Sequence, residues 1–274
     1  MRALVTGVAG FVGSTLAERL VDGGADVVGV DCFTDYYPRP MKERNLAALR
    51  GHERFRFVES RVQDADLGAL LADRTHLFHL AAQAGVRKSW GRDFAVYLEN
   101  NIEATQVLLE ACTRLALDRI VYASSSSVYG DDTPMPFHED AVPRPVSPYG
   151  VSKLAGEQLC YLYHVNFGLP TVSLRYFTVY GPRQRSDMAF HKFLRAAIRQ
   201  EPITLFGDGE QTRDFTYVHD AVAVTVAAGT LGVPGRVYNI GGGSRVSMNE
   251  VIDIIGRVSG RRPLVTVDPI SATA

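Results

Sequence analysis

Cysteine, tryptophan and net charge are all scarce in this chain. Its 274 residues include three cysteines and one tryptophan, and 29 Lys+Arg against 30 Asp+Glu leave a formal net charge of −1. Cys32, Cys112 and Cys160 lie far apart and form no CxxC pair. That excludes a disulfide framework or a cysteine zinc module and points to a reduced, cytoplasmic protein whose thiols are small buried apolar groups. Without a basic excess, neither nucleic acid nor an anionic membrane surface is the expected partner. The seven histidines show no metal-ligand spacing, and no metal is expected. The longest uncharged apolar stretch, Ala221 to Val233, is broken by Thr and Gly and falls short of the roughly 20 residues that cross a bilayer. A strand pattern begins at Arg2, so no secretory leader is read there.

What is present is a globular composition, 46% hydrophobic and 22% charged, in a chain long enough to bury about three-quarters of its unfolded surface. Ala3–Thr6 is an apolar run, followed by a glycine-rich turn and a helical pattern from Phe11 to Asp22 that ends at Gly23-Gly24. Val27–Val30, Phe55–Val58, His76–His79, Arg119–Ala123 and Thr171–Leu174 continue the strand series, with helical patterns at 41–50, 65–72, 93–116 and 149–167 between them. Apolar runs that do not alternate with polar residues fit strands covered on both faces, and strand–helix alternation implies a doubly wound parallel sheet, an α/β fold of Rossmann type. The second half is more broken: helices fit 188–200 and 217–231, a strand fits Val237–Ile240, and Ser247 with Glu250 has capping-box spacing. The expected division is a larger domain over 1–176, with about 213–241 returning to it, and a smaller α/β C-terminal domain from 177–212 and 242–274.

The turn Thr6-Gly7-Val8-Ala9-Gly10-Phe11-Val12-Gly13 places glycines at i, i+3 and i+6 directly after a strand and at the start of a helix. Glycine lets the backbone approach a pyrophosphate, and the helix end offers N–H donors and positive dipole charge. Asp31 closes the second strand pattern. A carboxylate there accepts both hydroxyls of an adenosine ribose and repels a 2′-phosphate, which favours NAD over NADP.

Tyr149 and Lys153 are four apart in Ser147-Pro148-Tyr149-Gly150-Val151-Ser152-Lys153, a segment whose proline favours a helix start. A lysine charge about 4 Å from a phenolate stabilises it by up to about 4 kcal/mol at an effective dielectric near 20. That brings a tyrosine, which normally titrates near pH 10, towards neutrality as a base. By itself Tyr-x-x-x-Lys is an ordinary helix pair, and the glycine turn gives it meaning. Ser124-Ser125-Ser126-Ser127 stands at the end of another strand pattern, where several hydroxyl donors suit a reacting site.

Together these motifs resemble the extended short-chain dehydrogenase/reductases, in particular the NAD-dependent nucleotide-sugar epimerase/dehydratase family. The resemblance runs nearly the whole chain and includes His79-Leu80-Ala81-Ala82, Asn100-Asn101, Arg175 to Pro182 and Arg213 to Val218. It implies Tyr149 as base, Lys153 as its partner and Ser125 as the hydroxyl sharing the sugar proton. Gly7, Gly10, Phe11, Val12, Gly13, Asp31, Leu80, Ala81, Asn100, Tyr149, Lys153 and Phe177 match positions that contact NAD. Family members often carry Asp-Ile or Asp-Leu after the third strand; here the matching pair is Arg61-Val62, with Val62 left as the adenine-side contact. Relatives also continue beyond Ile270-Ser271-Ala272-Thr273-Ala274, so the substrate domain is expected to be incomplete at its C-terminus.

Within the family, Ser126 and Ser127 stand where sugar 4,6-dehydratases carry Asp-Glu and where decarboxylases carry a glutamate at the second position. Epimerisation needs neither acid. Phe177-Thr178-Val179-Tyr180-Gly181-Pro182, Asp187-Met188-Ala189, Asp35-Tyr36-Tyr37 and Gln83 to Arg87 look like the UDP-glucuronate 4-epimerase subgroup. UDP-glucose or UDP-N-acetylglucosamine 4-epimerase and UDP-glucuronate decarboxylase are the alternatives. On this resemblance Ser126, Ser127, Thr178 and Arg87 hold the sugar carboxylate, Arg213 meets the diphosphate, Arg185 with Met188 and Ala189 borders the substrate, and Leu205-Phe206 line the uracil site. A homodimer is also implied, through the helices near 93–116 and 149–167.

Overall fold

The computed structural model describes residues 1–268; Pro269 and the tail Ile270–Ala274 lie outside the described residues. The strands in chain order are β1 Arg2–Thr6, β2 Asp26–Asp31, β3 Phe55–Glu59, β4 His76–His79, β5 Arg119–Ser125, β6 Thr171–Tyr176, β7 Thr178–Tyr180, β8 Pro202–Phe206, β9 Thr212–Tyr217, β10 Val237–Ile240, β11 Arg245–Ser247 and β12 Leu264–Asp268. The helices are α1 Phe11–Asp22, α2 Arg39–Asn45, α3 Leu67–Leu71, α4 Phe94–Tyr97, α5 Ala104–Cys112, α6 Pro148–Phe167, α7 Ala189–Arg199, α8 Val218–Leu231 and α9 Met248–Ser259. The chain folds as two compact units, Met1–Tyr176 with His219–Ile240, and Phe177–Val218 with the described residues from Gly241 on.

The larger unit is a seven-stranded sheet in the order β10-β6-β5-β4-β1-β2-β3. Every neighbouring pair in it is parallel, as the uninterrupted apolar runs require. One face packs Leu4, Val28, Leu77 and Ile120 against Leu70, Leu108, Leu109 and Cys160 of α3, α5 and α6. On the other face, Phe78 of β4 meets Gly229 of α8, where an added Cβ would sit 3.0 Å from its ring. The sheet is thus covered on both faces and doubly wound. Strand order reverses between β1 and β4, which places the loops after those strands beside the topological switch point, where open α/β sheets bind ligands.

The pattern expected as a single helix over 93–116 is α4, a wider π-helical stretch over Leu98–Glu103, and α5. The helix expected over 41–50 is displaced to Arg39–Asn45, with Pro40 in its first turn. α6 starts with Pro148 at its first position, capped by Ser147 Oγ accepting from Gly150 N at 3.1 Å, and ends on a left-handed Gly168.

The smaller unit holds a three-stranded sheet β11-β9-β7 and a two-stranded parallel pair β12-β8. Its core joins Phe193, Ala196 and Ala197 of α7, Ile203 and Leu205 of β8, and Val251, Ile252 and Ile255 of α9. The capping box is present: Ser247 Oγ accepts from Glu250 N at 3.1 Å while Glu250 Oε2 accepts from Ser247 N at 2.7 Å.

Gly29 in β2 shows how tightly the switch-point strands are packed. A Cβ there would lie 2.7 and 2.8 Å from the two methyls of Val8 and 3.0 Å from the Phe55 ring. Val8 is fully buried and stiff at χ1. Gly29→Ala therefore lowers stability by about 1–3 kcal/mol, measured by chemical denaturation; an unchanged midpoint would refute this packing.

Candidate active site

The glycine turn after β1 is held from both sides. Gly7 N donates to Val30 O at 2.8 Å and Gly10 N to Gly7 O at 3.0 Å. Gly7 has φ +71°, and a Cβ on it would lie 2.7 Å from Ala81 N. A Cβ on Gly13 would lie 2.2 Å from Gly7 O. These positions therefore take no side chain, and the backbone of the turn is left uncovered for a ligand. Gly10 caps α1 with extended geometry and no side-chain bond, so the helix end presents N–H donors to an anion. Phe11 is buried and Val12 half-buried beside this turn. Leu80 and Ala81 run alongside it, with Leu80 N donating to Thr6 O and Ala81 N to Thr6 Oγ1, both at 3.2 Å.

Asp31 ends β2 with each carboxylate oxygen engaged. Oδ2 accepts from Ala9 N in the glycine turn at 3.0 Å and Oδ1 from Phe33 N at 2.8 Å. Burial raises its pKa, while the two backbone donors and the charge of Lys42 oppose the rise. Phe33 adopts φ +50°, uncommon for a large side chain, and the strain sits directly beside the carboxylate.

The other half of the site is built on α6 and the end of β5. Tyr149 and Lys153 share one helix face. Gly150 lies between them because a Cβ there would sit 2.2 Å from Ser127 O; this close approach brings the start of α6 against the serine turn. Ser125 Oγ accepts from Ser127 N at 3.1 Å, which curls Ser126–Val128 into a 3₁₀ turn. Tyr97 packs edge-on to the Tyr149 ring at 6.2 Å, and its hydroxyl lies 2.7 Å from Gly85 O.

Lys153 is only 3% exposed. Its Nζ stands 4.6 Å from the centre of the Tyr122 ring, a cation–π contact. Burial pulls its pKa down to about 8, with Cys160 and Glu157 opposing. His79 is buried, bonded to Thr6 Oγ1 at 2.7 Å and Thr105 Oγ1 at 3.0 Å. Burial and then the Lys153 charge push its pKa down to about 3. His79 is therefore a neutral packing residue and not a base at physiological pH.

Sequence reasoning missed Asn101, in the π-helical stretch. Its Oδ1 accepts from Gln83 N at 2.6 Å, and its Nδ2 donates to Gln83 O at 3.1 Å and Ser152 Oγ at 2.8 Å. Ser152 Oγ in turn donates to Tyr149 O at 2.7 Å. The widened helix thus ties the loop after β4 to the helix carrying Tyr149. The neighbouring Asn100, expected to contact cofactor, bonds its own helix through Nδ2 to Val96 O at 2.9 Å. A doubled asparagine in the sequence was the only sign that one of them turns inward.

The remaining expected residues fall in different surroundings. Val62 is packed in the core beneath β1 and β2. Arg61 pairs with Glu99 at 3.2 Å. Ser126 and Ser127 are half-buried beside Ser125, and Arg87 is exposed in a short turn after β4. In the smaller unit Phe177, Thr178, Met188, Ala189 and Phe206 are half-buried, Arg213 is exposed, and Leu205 is buried in the core with α7 and α9. Arg185 clamps Asp187 bidentately, both bonds 2.9 Å. Burial raises the Asp187 carboxyl, but the Arg185 pair more than offsets it and the net pKa is lowered. Among the described residues no group of three or more His, Cys, Asp or Glu could hold a metal ion. None of their helices is long and apolar enough to cross a membrane.

The chain as a whole is similar to known proteins. The NAD dependent epimerase/dehydratase family matches residues 3–241. The chain belongs to that family. An uncharacterized UDP-glucose epimerase, YtcB of Bacillus subtilis, is 47% identical over 96% of this chain and 83% of its own. A UDP-glucuronate 4-epimerase of Thermodesulfobacterium geofontis is 40% identical over 94% of this chain and 81% of its own. The crystal structure of UDP-glucuronic acid 4-epimerase from Bacillus cereus, in complex with UDP-glucuronic acid and NAD, superposes with TM-score 0.94 at 47% identity, covering 97% of this chain and 86% of that one.

Burial of Lys153 has a measurable cost in this epimerase-family protein. Its pKa drops from 10.5 in a free chain to about 8 in the fold, so between those values the unfolded chain binds more protons and stability rises with pH. Below about pH 8 the folded state carries the whole penalty, about 3 kcal/mol. Lys153→Met is accordingly more stable than the parent at pH 7, and the gap closes as pH approaches 10.5. Denaturation of both proteins at pH 7 and pH 10 checks this; a less stable variant at pH 7 refutes it.

Proposed function

We propose that this protein is a UDP-glucuronate 4-epimerase, interconverting UDP-glucuronate and UDP-galacturonate with a tightly held NAD. The observation that carries the reading is the buried Lys153 on the same helix face as Tyr149, with the start of that helix pressed against the Ser125–Ser127 turn. The glycine turn fits a dinucleotide: Gly7 and Gly13 leave no room for a side chain, and the end of α1 offers its N–H groups. On this reading the turn holds the pyrophosphate, and Asp31 takes the adenosine ribose. When bound, NAD supplies a reversible hydride acceptor for C4 of the sugar.

The chain's own groups handle the proton and the orientation. Tyr149, as phenolate, takes the proton of the C4 hydroxyl, and Ser125 shares the hydrogen bond to that oxygen. Lys153 supplies the positive charge that makes a phenolate accessible near neutral pH. The resulting 4-keto sugar is re-presented on its other face, and Tyr149 returns the proton to its C4 oxygen. A 4-keto uronate is a β-keto acid and loses CO2 when its carboxylate stands desolvated and perpendicular to the ketone. Neutral hydroxyls at Ser126, Ser127 and Thr178, with Arg87, serve to hold that carboxylate in a safer orientation. Arg213, Arg185, Met188, Ala189 and Phe206 belong to the nucleotide and diphosphate part of the site. The larger unit is the NAD domain and the smaller one the substrate domain.

A homodimer completes the proposal. The outer face of α6 exposes Tyr161, Leu162, Val165 and Phe167, each at least half exposed, and an apolar stripe of that kind favours a second copy. A cytoplasmic location is supported by three free cysteines.

Proton NMR of the purified protein with UDP-glucuronate and no added NAD should show UDP-galacturonate appearing. Release of UDP-xylose or a 4-keto pentose would instead establish a decarboxylase, and turnover of UDP-glucose alone a neutral-sugar epimerase. Tyr149→Phe should lower kcat about a hundred- to ten-thousand-fold while leaving the fold intact by circular dichroism. Thr178→Val should weaken UDP-glucuronate turnover selectively over UDP-glucose; an unchanged preference rules out its carboxylate role.

A further inference from the structure

One buried ion pair lies outside the roles assigned so far. Glu157 is on α6, one turn beyond Lys153, and is 3% exposed. Arg175, on β6, is also 3% exposed. Arg175 Nη2 and Nε donate to Glu157 Oε1 at 2.7 and 3.0 Å. Glu157 Oε2 accepts from Ser124 Oγ at 2.7 Å. Ser124 immediately precedes Ser125, and β5 is paired with β6 so that Ser124 faces Arg175 in register. Arg175 Nη1 then donates to Tyr129 Oη at 2.7 Å and to Glu139 O at 3.2 Å, tying in the chain that follows the serine turn.

Three elements therefore meet at one carboxylate: the helix with Tyr149 and Lys153, the strand ending in Ser125, and the neighbouring strand β6. A buried pair of this kind is weak as a stabiliser, because desolvation offsets much of its attraction. Its position relative to the reacting groups gives it a different use. We propose that Glu157, oriented by Arg175, is a positioning and charge-balancing residue of the proton-transfer site, fixing α6 against the Ser124-Ser125 edge and keeping a compensating negative charge beside Lys153. It touches neither substrate nor the reacting atoms.

The electrostatic surroundings can be enumerated. Lys153 is faced by Glu157 and Cys160 from α6, by Tyr122 from β5, which also feels Tyr149, and by His79 from β4. Glu157 is faced by Arg175 from β6 and Ser124 from β5. Of these, His79 is neutral at physiological pH, and burial holds the Cys160 thiol up at about 12. Tyr122 is likewise held in its neutral form. Glu157 is thus the one standing anion in that set. Removing its charge makes every proton in the set easier to lose, so the Tyr149–Lys153 couple as a whole moves to lower pH.

The proposal rests on the assignment of Tyr149 as base, and the test separates the two. The phenolate of Tyr149 is followed by ultraviolet difference titration of the holoprotein against its Tyr149→Phe variant, which needs no substrate. The pH dependence of kcat/KM for UDP-glucuronate is measured in parallel. In Glu157→Gln both the phenolate titration and the acid limb of the rate profile should move to lower pH by about one unit. Ser124→Ala, which keeps the charge, should lower kcat with both curves in place. Should Glu157→Gln not fold because Arg175 is left unpaired, the double variant Glu157→Gln/Arg175→Met, in which loss of the Arg175 charge partly offsets the effect, should give a smaller displacement in the same direction. A folded variant lacking Glu157 whose titration stays where the parent's is would overturn the proposal. A displaced titration without any UDP-glucuronate turnover would uphold it and overturn the substrate assignment instead.

Discussion

Much of the larger unit is organised around keeping one ammonium group out of water. Lys153 sits at 3% exposure against the face of Tyr122, within the field of Glu157. An isolated lysine there would simply lose its proton. The ring face and the carboxylate one turn along the helix moderate that tendency without quenching it, and the resulting pKa of about 8 lies close to the pH at which the proposed base and its cation would work. The arrangement is a stored cost that the core must carry, of the kind that collects at functional sites.

The same economy of contact governs the glycine turn. Gly7, Gly13 and Gly29 are each required by a neighbour less than 3 Å from where a Cβ would stand. Gly7 abuts the chain after β4 and Gly29 abuts Val8, so β1, β2 and β4 lock the turn in place before any ligand arrives. Asp31 adds a carboxylate bonded back to Ala9 in that turn. A dinucleotide meets a preformed surface, which spares it the cost of ordering the loop.

The sequence made the larger unit legible to the extent that its signals are local. β1 to β6 and α6 announce themselves through apolar runs, Pro148 and Gly168. Tyr149 and Lys153 share a face by spacing alone. What escaped reading was decided by long-range partners. In the π-helical stretch Asn101 turns inward to Gln83 and Ser152, and no helical periodicity encodes that. The strands β7 and β11 are three residues each, and β9 carries a mixed polar sequence, Thr212-Arg213-Asp214-Phe215-Thr216-Tyr217, whose pairing depends on segments far away in the chain. Leu205 illustrates the limit from the other side: an apolar residue near a motif is read as a lining group, and in the fold it fills the core of its own unit.

The position of β10 has a consequence for how the chain is made. This strand, Val237–Ile240, pairs with β6, Thr171–Tyr176, through a parallel register, yet about sixty residues of chain separate the two. During synthesis β6 emerges with one edge unpaired, and that edge waits until the whole of the intervening segment has left the ribosome. At bacterial-like elongation rates of about 5–20 residues per second this is an interval of seconds, long on the scale of hairpin formation or collapse. Throughout it the nascent chain displays a row of open backbone donors and acceptors beside Ser173, Arg175 and their neighbours, an edge prone to pairing with the wrong strand. The protein's vulnerability to misassembly is therefore concentrated in time, between the translation of β6 and that of β10, and at one border of the sheet.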